Sequence, residues 1–299
     1  MRAWSTARFP IPLPDGHRFP IAKYAMIRAG VMARGLLGPE QICEPEPASW
    51  TTLALTHTTR YLDAVRDGTL TDAEARRLGF PWSQELRERS LRTAQGTLEA
   101  ATDALDGGAG LSLAGGTHHA HADHGEGYCC LNDVAVAVRA LQREGRIRRA
   151  LVIDLDVHQG NGTAAIFAGD DSVFTFSMHG ARNYPFRKAA STLDVEFDDR
   201  VGDAEYLFSL EKHLDQVLAE SGPDLVCYLA GADPYAGDRL GRLSLSIEGL
   251  RRRDRRVFDA CRGRAIPVVV VMAGGYAADL ADLVTIHTNT VAELRRAYG

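Results

Sequence analysis

The sequence lacks the features that mark secreted, disulfide-stabilised and membrane-spanning proteins. Its five cysteines are an odd number and form no C-x-x-C pair, which argues against a disulfide framework and against a thiolate zinc site. No uncharged run of about 18 apolar residues occurs, and the first 20 residues contain no apolar stretch typical of a secretory signal. We therefore expect buried thiols in a reducing compartment, a cytoplasmic location and no interaction with membranes.

A large excess of either charge is also missing. The 34 Lys and Arg against 39 Asp and Glu give a formal net charge of −5, and 45% of the residues are hydrophobic. This composition excludes a disordered or collagen-like chain. A mildly acidic chain lacks the positive charge on which general nucleic-acid binding depends, so no nucleic-acid partner is expected. Because no repeat or linker-like tract divides the chain, residues 1–299 are predicted to form a single domain.

Short apolar segments alternate with helical segments along most of the chain. Strands are predicted at Gly110–Ala114, Ala150–Val157, Val173–Ser177, Leu225–Ala230 and Pro267–Ala273. Helices are predicted over 53–66, 84–105, Asp133–Glu144, Ala204–Glu220 and Glu248–Arg262. Such alternation predicts an α/β fold: a single three-layer domain with a central, mainly parallel sheet and helices on both faces.

Polar side chains follow the predicted strands at the points where the strands end. The segments are Gly115–His119, Asp154–Gly162, Ser177–His179, Ala230–Asp233 and Ala273–Tyr276. Parallel sheets bind their ligands beyond the carboxyl ends of the strands. We therefore expect the His, Asp and Tyr side chains of these segments to converge on one crevice.

Three of these side chains have the spacing of metal ligands. Asp154, Asp156 and His158 alternate along the predicted strand Ala150–Val157, and alternate residues of a strand point to one face. Asp156 and His158 could therefore reach one ion, with Asp233 as the natural third ligand. Mixed carboxylate and imidazole ligands suit Zn²⁺, or less commonly Fe²⁺. The alternative is that the aspartates only cap the following helices; the aligned strand ends favour the metal site.

Two adjacent histidines, His118 and His119, follow a pair of glycines. Glycine permits close backbone approach to a ligand, and histidine exchanges protons near neutral pH. A lone histidine is more often only a hydrogen-bonded polar residue, but a tandem pair at a strand end favours proton transfer. His121 and His124, in a polar loop, are interpreted as surface residues. Tyr276, taken alone, is more typical of an ordinary buried tyrosine.

The sequence resembles the zinc-dependent histone deacetylase superfamily in five blocks that occur in the family's order. They are Gly115–Ala120 (GGTHHA), Gly127–Asp133 (GYCCLND), Asp154–Gly162 (DLDVHQGNG), Ala230–Gly241 (AGADPYAGDRLG) and Gly274–Tyr276 (GGY). The resemblance spans residues 15–280 and implies the arginase–deacetylase fold. It is most similar to the class IV branch, through Gln159–Gly162, Asn183–Arg187 and Gly237–Gly241.

The resemblance implies a chemical role for each matched residue. Asp156, His158 and Asp233 would hold the catalytic zinc. His119 would act as general base and then as general acid, while His118 would stay largely charged and assist electrostatically.

The other matched residues would position the reactants. Tyr276 would donate a hydrogen bond to the oxyanion, and Asp154 would support the first histidine. Asp154 would also bind a structural K⁺ together with the Ser177 hydroxyl. The walls of an acyl-lysine tunnel would be formed by Gly127, Tyr128 and Tyr184.

The chain departs from the family's pattern in three places. Many class I relatives have Asp where this chain has Asn161, behind His119. An amide can orient an imidazole but adds no charge, so the pKa of His119 should differ from theirs. Class I relatives use His at the position of Gln159, and the rim aspartate that holds a peptide backbone in some relatives has no counterpart that aligns. The implied peptide selectivity therefore stays open.

Several substrates and two other functions remain to be weighed against this activity. Acyl-lysine in a protein or peptide, with an acetyl or a long fatty acyl group, and small acylated amines such as acetylpolyamines all suit the same catalytic residues. An arginase-like two-manganese enzyme would need acids where this chain has Gly160 and Gly231. A catalytically silent binding protein would have lost a ligand, the base or the tyrosine, and none is lost. The Arg251–Arg256 run is interpreted as a solvated helix face and not as a site for an acidic partner.

Overall fold

The computed structural model describes residues 1–299 and contains one eight-stranded sheet. The strands are β1 (Ala3–Trp4), β2 (Ile42–Cys43), β3 (Ala109–Ser112), β4 (Ala150–Asp154), β5 (Val173–Gly180), β6 (Leu193–Phe197), β7 (Leu225–Leu229) and β8 (Val268–Val271). Their order across the sheet is β2-β1-β3-β8-β7-β4-β5-β6, and every pairing is parallel. The carboxyl ends of all strands therefore share one edge.

Helices pack on both faces of this sheet. They are α1 (Lys23–Ala33), α2 (Trp50–Leu53), α3 (Thr59–Asp67), α4 (Asp72–Leu78), α5 (Gln84–Gly107), α6 (Asp133–Arg143), α7 (Asn161–Ile166), α8 (Asp203–Ser221), α9 (Ile247–Gly263) and α10 (Leu280–Tyr298). Alternate residues of β4 serve opposite layers: Leu151 and Ile153 join the core under α1, α8, α9 and α10, whereas Val152 joins the core under α5 and α6. The predicted three-layer α/β architecture is confirmed.

Three sequence-based boundaries are wrong for identifiable reasons. The helix expected over 53–66 is split into α2 and α3, because the Thr58 side chain caps a new helix by accepting the Tyr61 amide. The strand expected over Ala150–Val157 ends at Asp154, because its carboxylate accepts the Asp156 amide and turns the chain. The first strand predicted from the sequence begins at Gly110, but the opening segment already contributes β1, which pairs with both β2 and β3.

The Arg251–Arg256 run is a solvated helix face only in part. Arg253 is fully buried, and its guanidinium donates to the carbonyls of Leu155 and Gly231, just before two of the predicted metal ligands. Asp254 is also buried and pairs with Arg253 at 2.8 Å. The run thus provides a buried support for the loops after β4 and β7.

No helix of this chain combines the length and the apolarity that a bilayer crossing requires. All five cysteines are unpaired, and four of them are buried, as the cysteine pattern predicts.

His57, in the turn between α2 and α3, links two segments near the sheet edge. Its Nδ1–H donates to the carbonyl of His121 at 3.0 Å, and its Nε2 accepts the Asn132 amide at 3.0 Å. The bond at Nε2 requires a neutral ring, because a protonated Nε2 cannot accept, and burial lowers the pKa of His57 to about 4. Sequence reasoning assigned this residue no role.

The burial of His57 predicts a loss of stability in mild acid. Between pH 6.5 and pH 4 His57 is protonated in the unfolded chain but stays neutral in the folded protein. The free energy of unfolding therefore falls as the pH falls, by about 1.4 kcal/mol per pH unit. Urea unfolding at pH 7.5 and pH 5 should show a drop about 2 kcal/mol larger for the wild type than for His57→Gln. An equal drop in both proteins would contradict this origin.

Candidate active site

Asp156, His158 and Asp233 form a compact set of donor atoms at the carboxyl edge of the sheet. One ligand atom from each lies within 4.8 Å of the other two. His158 Nδ1 lies 3.0 Å from Asp156 Oδ1 and 3.2 Å from Asp233 Oδ2. Both carboxylates are completely buried, and two carboxylates with one imidazole are a donor set that Zn²⁺ and Fe²⁺ accept.

Backbone amides hold these carboxylates in place. The Gly274 amide donates to Asp156 Oδ2 at 2.7 Å, and the Val157 amide donates to Asp233 Oδ1 at 2.9 Å. A Cβ atom on Gly274 would lie 2.0 Å from Asp233 Oδ2, so only glycine lets the backbone approach the carboxylates this closely. The loop after β8 is therefore tied directly to the loops after β4 and β7.

The charges in this set favour binding of a cation. Burial and the neighbouring carboxylate of Asp156 raise the pKa of Asp233 to about 7. Burial opposes charge on His158, but hydrogen bonds to the two carboxylates outweigh it and raise the pKa of His158 to about 10. A divalent cation would displace the proton that the imidazole and the carboxylates share, so cation binding competes with protonation here.

The two adjacent histidines have different partners and opposite pKa shifts. His118 Nδ1 lies 2.7 Å from Asp154 Oδ2, whereas His119 Nδ1 lies 2.7 Å from Asn161 Oδ1. Burial opposes charge on His118, but the carboxylates of Asp154 and Asp156 outweigh it and raise the pKa of His118 to about 9. Burial, together with the charges of His118 and His158, lowers the pKa of His119 well below its usual range. One ring therefore suits a fixed cation and the other a neutral base.

The side chain of Tyr276, like that of His119, lies close to His158. Its ring centroid is 6.3 Å from that of His158, and burial with the nearby carboxylates raises the pKa of Tyr276, so its hydroxyl stays a hydrogen-bond donor. The Tyr276 amide donates to Asp238 Oδ2 at 2.6 Å. Beneath the ring, the buried ammonium of Lys23 donates to the carbonyl of Ala273 at 3.2 Å.

The carboxylate of Glu126 is connected to His119 through Asn161. The Asn161 amide donates to Glu126 Oε1 at 3.0 Å, and the Tyr184 hydroxyl donates to the same oxygen at 2.5 Å. Asn161 also lies 3.2 Å from His121 Nε2, and the His121 ring stacks on His124 with 4.4 Å between centroids. His121 and His124 are half-buried members of this network, so their interpretation as surface residues is wrong.

The residues expected to form a tunnel do line a cavity that leads to this site. Gly127, Tyr128 and Tyr184 line a cavity of about 580 Å³ together with His119 and other site residues. The Tyr184 ring stands perpendicular to His119 at 5.0 Å, and a Cβ on Gly127 would lie 2.7 Å from the His119 ring. Gly127 also has a φ of +55°, which favours glycine.

Ser177, within β5, lies beside Asp154, the last residue of the neighbouring strand β4. The two residues are paired in the register of β4 and β5, and the Ser177 hydroxyl lies 2.9 Å from His179 Nδ1. Both side chains are buried, so a carboxylate and a hydroxyl group occupy paired, buried positions of adjacent strands.

The structure leaves no room for the extra acids of a two-metal site. A Cβ on Gly160 would lie 2.4 Å from Asp154 Oδ2, and a Cβ on Gly231 would lie 2.6 Å from Asp156 Oδ2. An acidic side chain at either position would therefore collide with a carboxylate already present. The single-cation interpretation is consistent with this packing.

Comparison with known proteins links this geometry to one family. A family model described as the histone deacetylase domain matches residues 17–291. Histone deacetylase 2 of Arabidopsis thaliana is 31% identical over 87% of this chain and 70% of its own length. An uncharacterized protein of Picosynechococcus sp. is 43% identical over 93% of this chain and 92% of its own length. The crystal structure of the HDA15 HD domain superposes with a TM-score of 0.83 at 25% identity, covering 98% of this chain and 88% of that one.

Proposed function

This chain belongs to the histone deacetylase family, and we propose on that premise that it is a metal-dependent hydrolase that removes acyl groups from the side-chain amine of acyl-lysine. The structural similarity also shows the arginase–deacetylase fold that the motifs imply. The observation that supports the activity best is the convergence of the Asp156, His158 and Asp233 donor set with the tandem histidines and Tyr276. We further propose a class IV-like enzyme acting as one catalytic domain.

The donor set fits Zn²⁺, with Fe²⁺ as the alternative. A cation bound by Asp156, His158 and Asp233 would supply Lewis acidity that polarises the scissile carbonyl and acidifies a water molecule. A structural K⁺ would suit the buried carboxylate of Asp154 and the Ser177 hydroxyl, because hard cations prefer oxygen ligands.

The protein's own groups would manage the protons of the reaction. Asn161 accepts the Nδ1–H of His119, which leaves Nε2 free to take a proton from the attacking water. The same nitrogen can then protonate the leaving amine. His118, held as a cation against Asp154, would add a positive charge to the site next to His119, with 4.1 Å between the two ring centroids. Tyr276 can donate a hydrogen bond to the developing oxyanion.

A matched series of acyl substrates tests this function. Peptides with acetyl-lysine or long-chain acyl-lysine, and acetylpolyamines, are incubated with native, metal-stripped and zinc-restored enzyme. We expect hydrolysis of at least one acyl-lysine peptide that disappears on stripping and returns with zinc. Turnover that persists after complete removal of the metal would contradict the proposal, and the preferred acyl group would fix the chain-length specificity.

Removing the Tyr276 hydroxyl should slow the chemical step. Phenylalanine keeps the ring that faces Tyr128 and His158 but cannot donate to the oxyanion, so Tyr276→Phe should lower kcat by about 10²–10³-fold with little change in KM. Tyr235→Phe, which removes a hydroxyl that is bonded to Asp282 and belongs to a residue that does not line the active-site cavity, is the matched control and should keep full activity. An equal loss in both variants would argue for a structural effect.

A further inference from the structure

The mouth of the active-site cavity is surrounded by arginines. Of its 17 lining residues six are arginines, and none is Asp, Glu or Lys. This arginine rim consists of Arg18, Arg76, Arg77, Arg182, Arg239 and Arg242. All six side chains are exposed to solvent. The concentration of positive charge is unexpected in a chain whose formal net charge is −5.

The rim is assembled from four separate parts of the fold. Arg18 belongs to the segment before α1, and Arg76 and Arg77 lie in the last turn of α4. Arg182 follows β5, and the remaining two arginines, Arg239 and Arg242, follow β7. Because these segments are brought together only by the fold, the rim is not simply the solvated face of one helix.

Most of the rim's charge has no carboxylate partner within the protein. Arg182 and Arg242 share a single carboxylate, that of Asp199, at 3.6 and 3.1 Å. Arg239 donates only to a backbone carbonyl, at 3.2 Å. Arg18, Arg76 and Arg77 make neither a side-chain hydrogen bond nor an ion pair. Four guanidinium groups are therefore available for a ligand at the entrance.

We propose that the natural substrate of this enzyme presents its acylated amine next to carboxylates, as an acyl-lysine does when acidic residues flank it in a protein segment. The inference rests on the proposed hydrolase function and names the substrate class of that same site. Guanidinium groups bind carboxylates in bidentate geometry, and a cavity mouth of one charge sign attracts ligands of the other. Acetylpolyamines and acyl-lysines with basic flanks meet the same rim with like charge.

The test uses peptides of one length and one acyl group that differ only in their flanks. Two Glu, two Gln or two Lys on each side of the acyl-lysine give acidic, neutral and basic substrates, and an acetylpolyamine and a small N-acyl amine with carboxylates complete the panel. We expect kcat/KM at low salt to be about 10–100-fold higher for the acidic than for the basic peptide. The ratio should shrink in 0.5 M NaCl, because salt screens exposed charges.

A triple variant tests whether the arginine rim causes the preference for acidic peptides. Arg18→Gln/Arg76→Gln/Arg77→Gln removes the three arginines that have no partner, so no internal bond is lost, and the acidic preference should fall at least about threefold. The double variant Arg143→Gln/Arg252→Gln removes exposed charges on α6 and α9 and should leave the preference unchanged.

The possible outcomes separate this proposal from the proposed function. Equal kcat/KM for the acidic and basic peptides, with normal zinc-dependent turnover of the neutral one, would overturn the rim proposal and leave the hydrolase intact. No turnover of any substrate would contradict the proposed hydrolase function, and with it the rim proposal that rests on that function. A preference for the small N-acyl amine with carboxylates over the acidic peptide would support recognition of carboxylates by the arginine rim. The natural substrate would then be a small metabolite.

Discussion

Replacing His119 with alanine should lower kcat by about 10²–10⁴-fold, the contribution typical of a positioned general base and acid. The geometry is the reason why we propose this role for His119 and not for His118. Burial and two nearby positive charges keep the His119 ring neutral, whereas His118 is held as a cation by Asp154. A neutral ring whose Nδ1–H is donated to Asn161 presents a free lone pair on Nε2.

The loss should be confined to catalysis. His119 is not in the proposed metal-ligand set, so the alanine variant should bind zinc with unchanged stoichiometry and unfold at a similar temperature. His213→Ala, on α8 and bonded only within its own helix turn, is the matched control and should keep wild-type turnover. If His119→Ala retained most of its activity while His118→Ala lost it, the roles of the two histidines would be reversed.

The sequence predicts the architecture well where apolar runs are long enough to recognise. The strands β3, β4, β5, β7 and β8 follow from such runs, and the polar segments after them locate the site. The two-residue strands β1 and β2 are too short for any periodicity, and the long helix α10 was missed entirely. Strand alternation is the wrong reason for the proximity of Asp156 and His158, because β4 ends at Asp154 and the two side chains are brought together by side-chain-to-backbone turns.

The supporting residues of the site could not be predicted, because their partners are far away in the chain. Glu126 bonds Asn161 across 35 positions, and Lys23 bonds the carbonyl of Ala273 across 250. Neither residue belongs to a repeating pattern or a short motif that indicates its role. The arginine rim likewise consists of residues that are ordinary surface arginines in the sequence and become a charged entrance only in the fold.

Replacing Asp233 with asparagine should abolish tight metal binding and, with it, turnover at stoichiometric zinc. Asparagine can keep the bond from the Val157 amide through its carbonyl oxygen, but its NH₂ group faces His158 in place of a ligand oxygen. Loss of an outer hydrogen-bond partner weakens metal binding by about 10–100-fold, so loss of a ligand should exceed about 10²-fold. Metal content after dialysis, and a zinc titration of turnover, measure the effect.

The same substitution should leave the metal-free protein as stable as the wild type or more stable. Asp233 is fully buried beside Asp156, and its raised pKa, about 7, shows that the second negative charge is unfavourable in this setting. Asparagine removes that charge, so the repulsion between residue 233 and Asp156 should disappear when no cation is bound. Zinc should then raise the unfolding temperature of the wild type and of the exposed control Asp171→Asn, but not that of Asp233→Asn. A metal-free variant much less stable than the metal-free wild type would show that Asp233 is mainly structural, and its loss of turnover could not then be attributed to the metal.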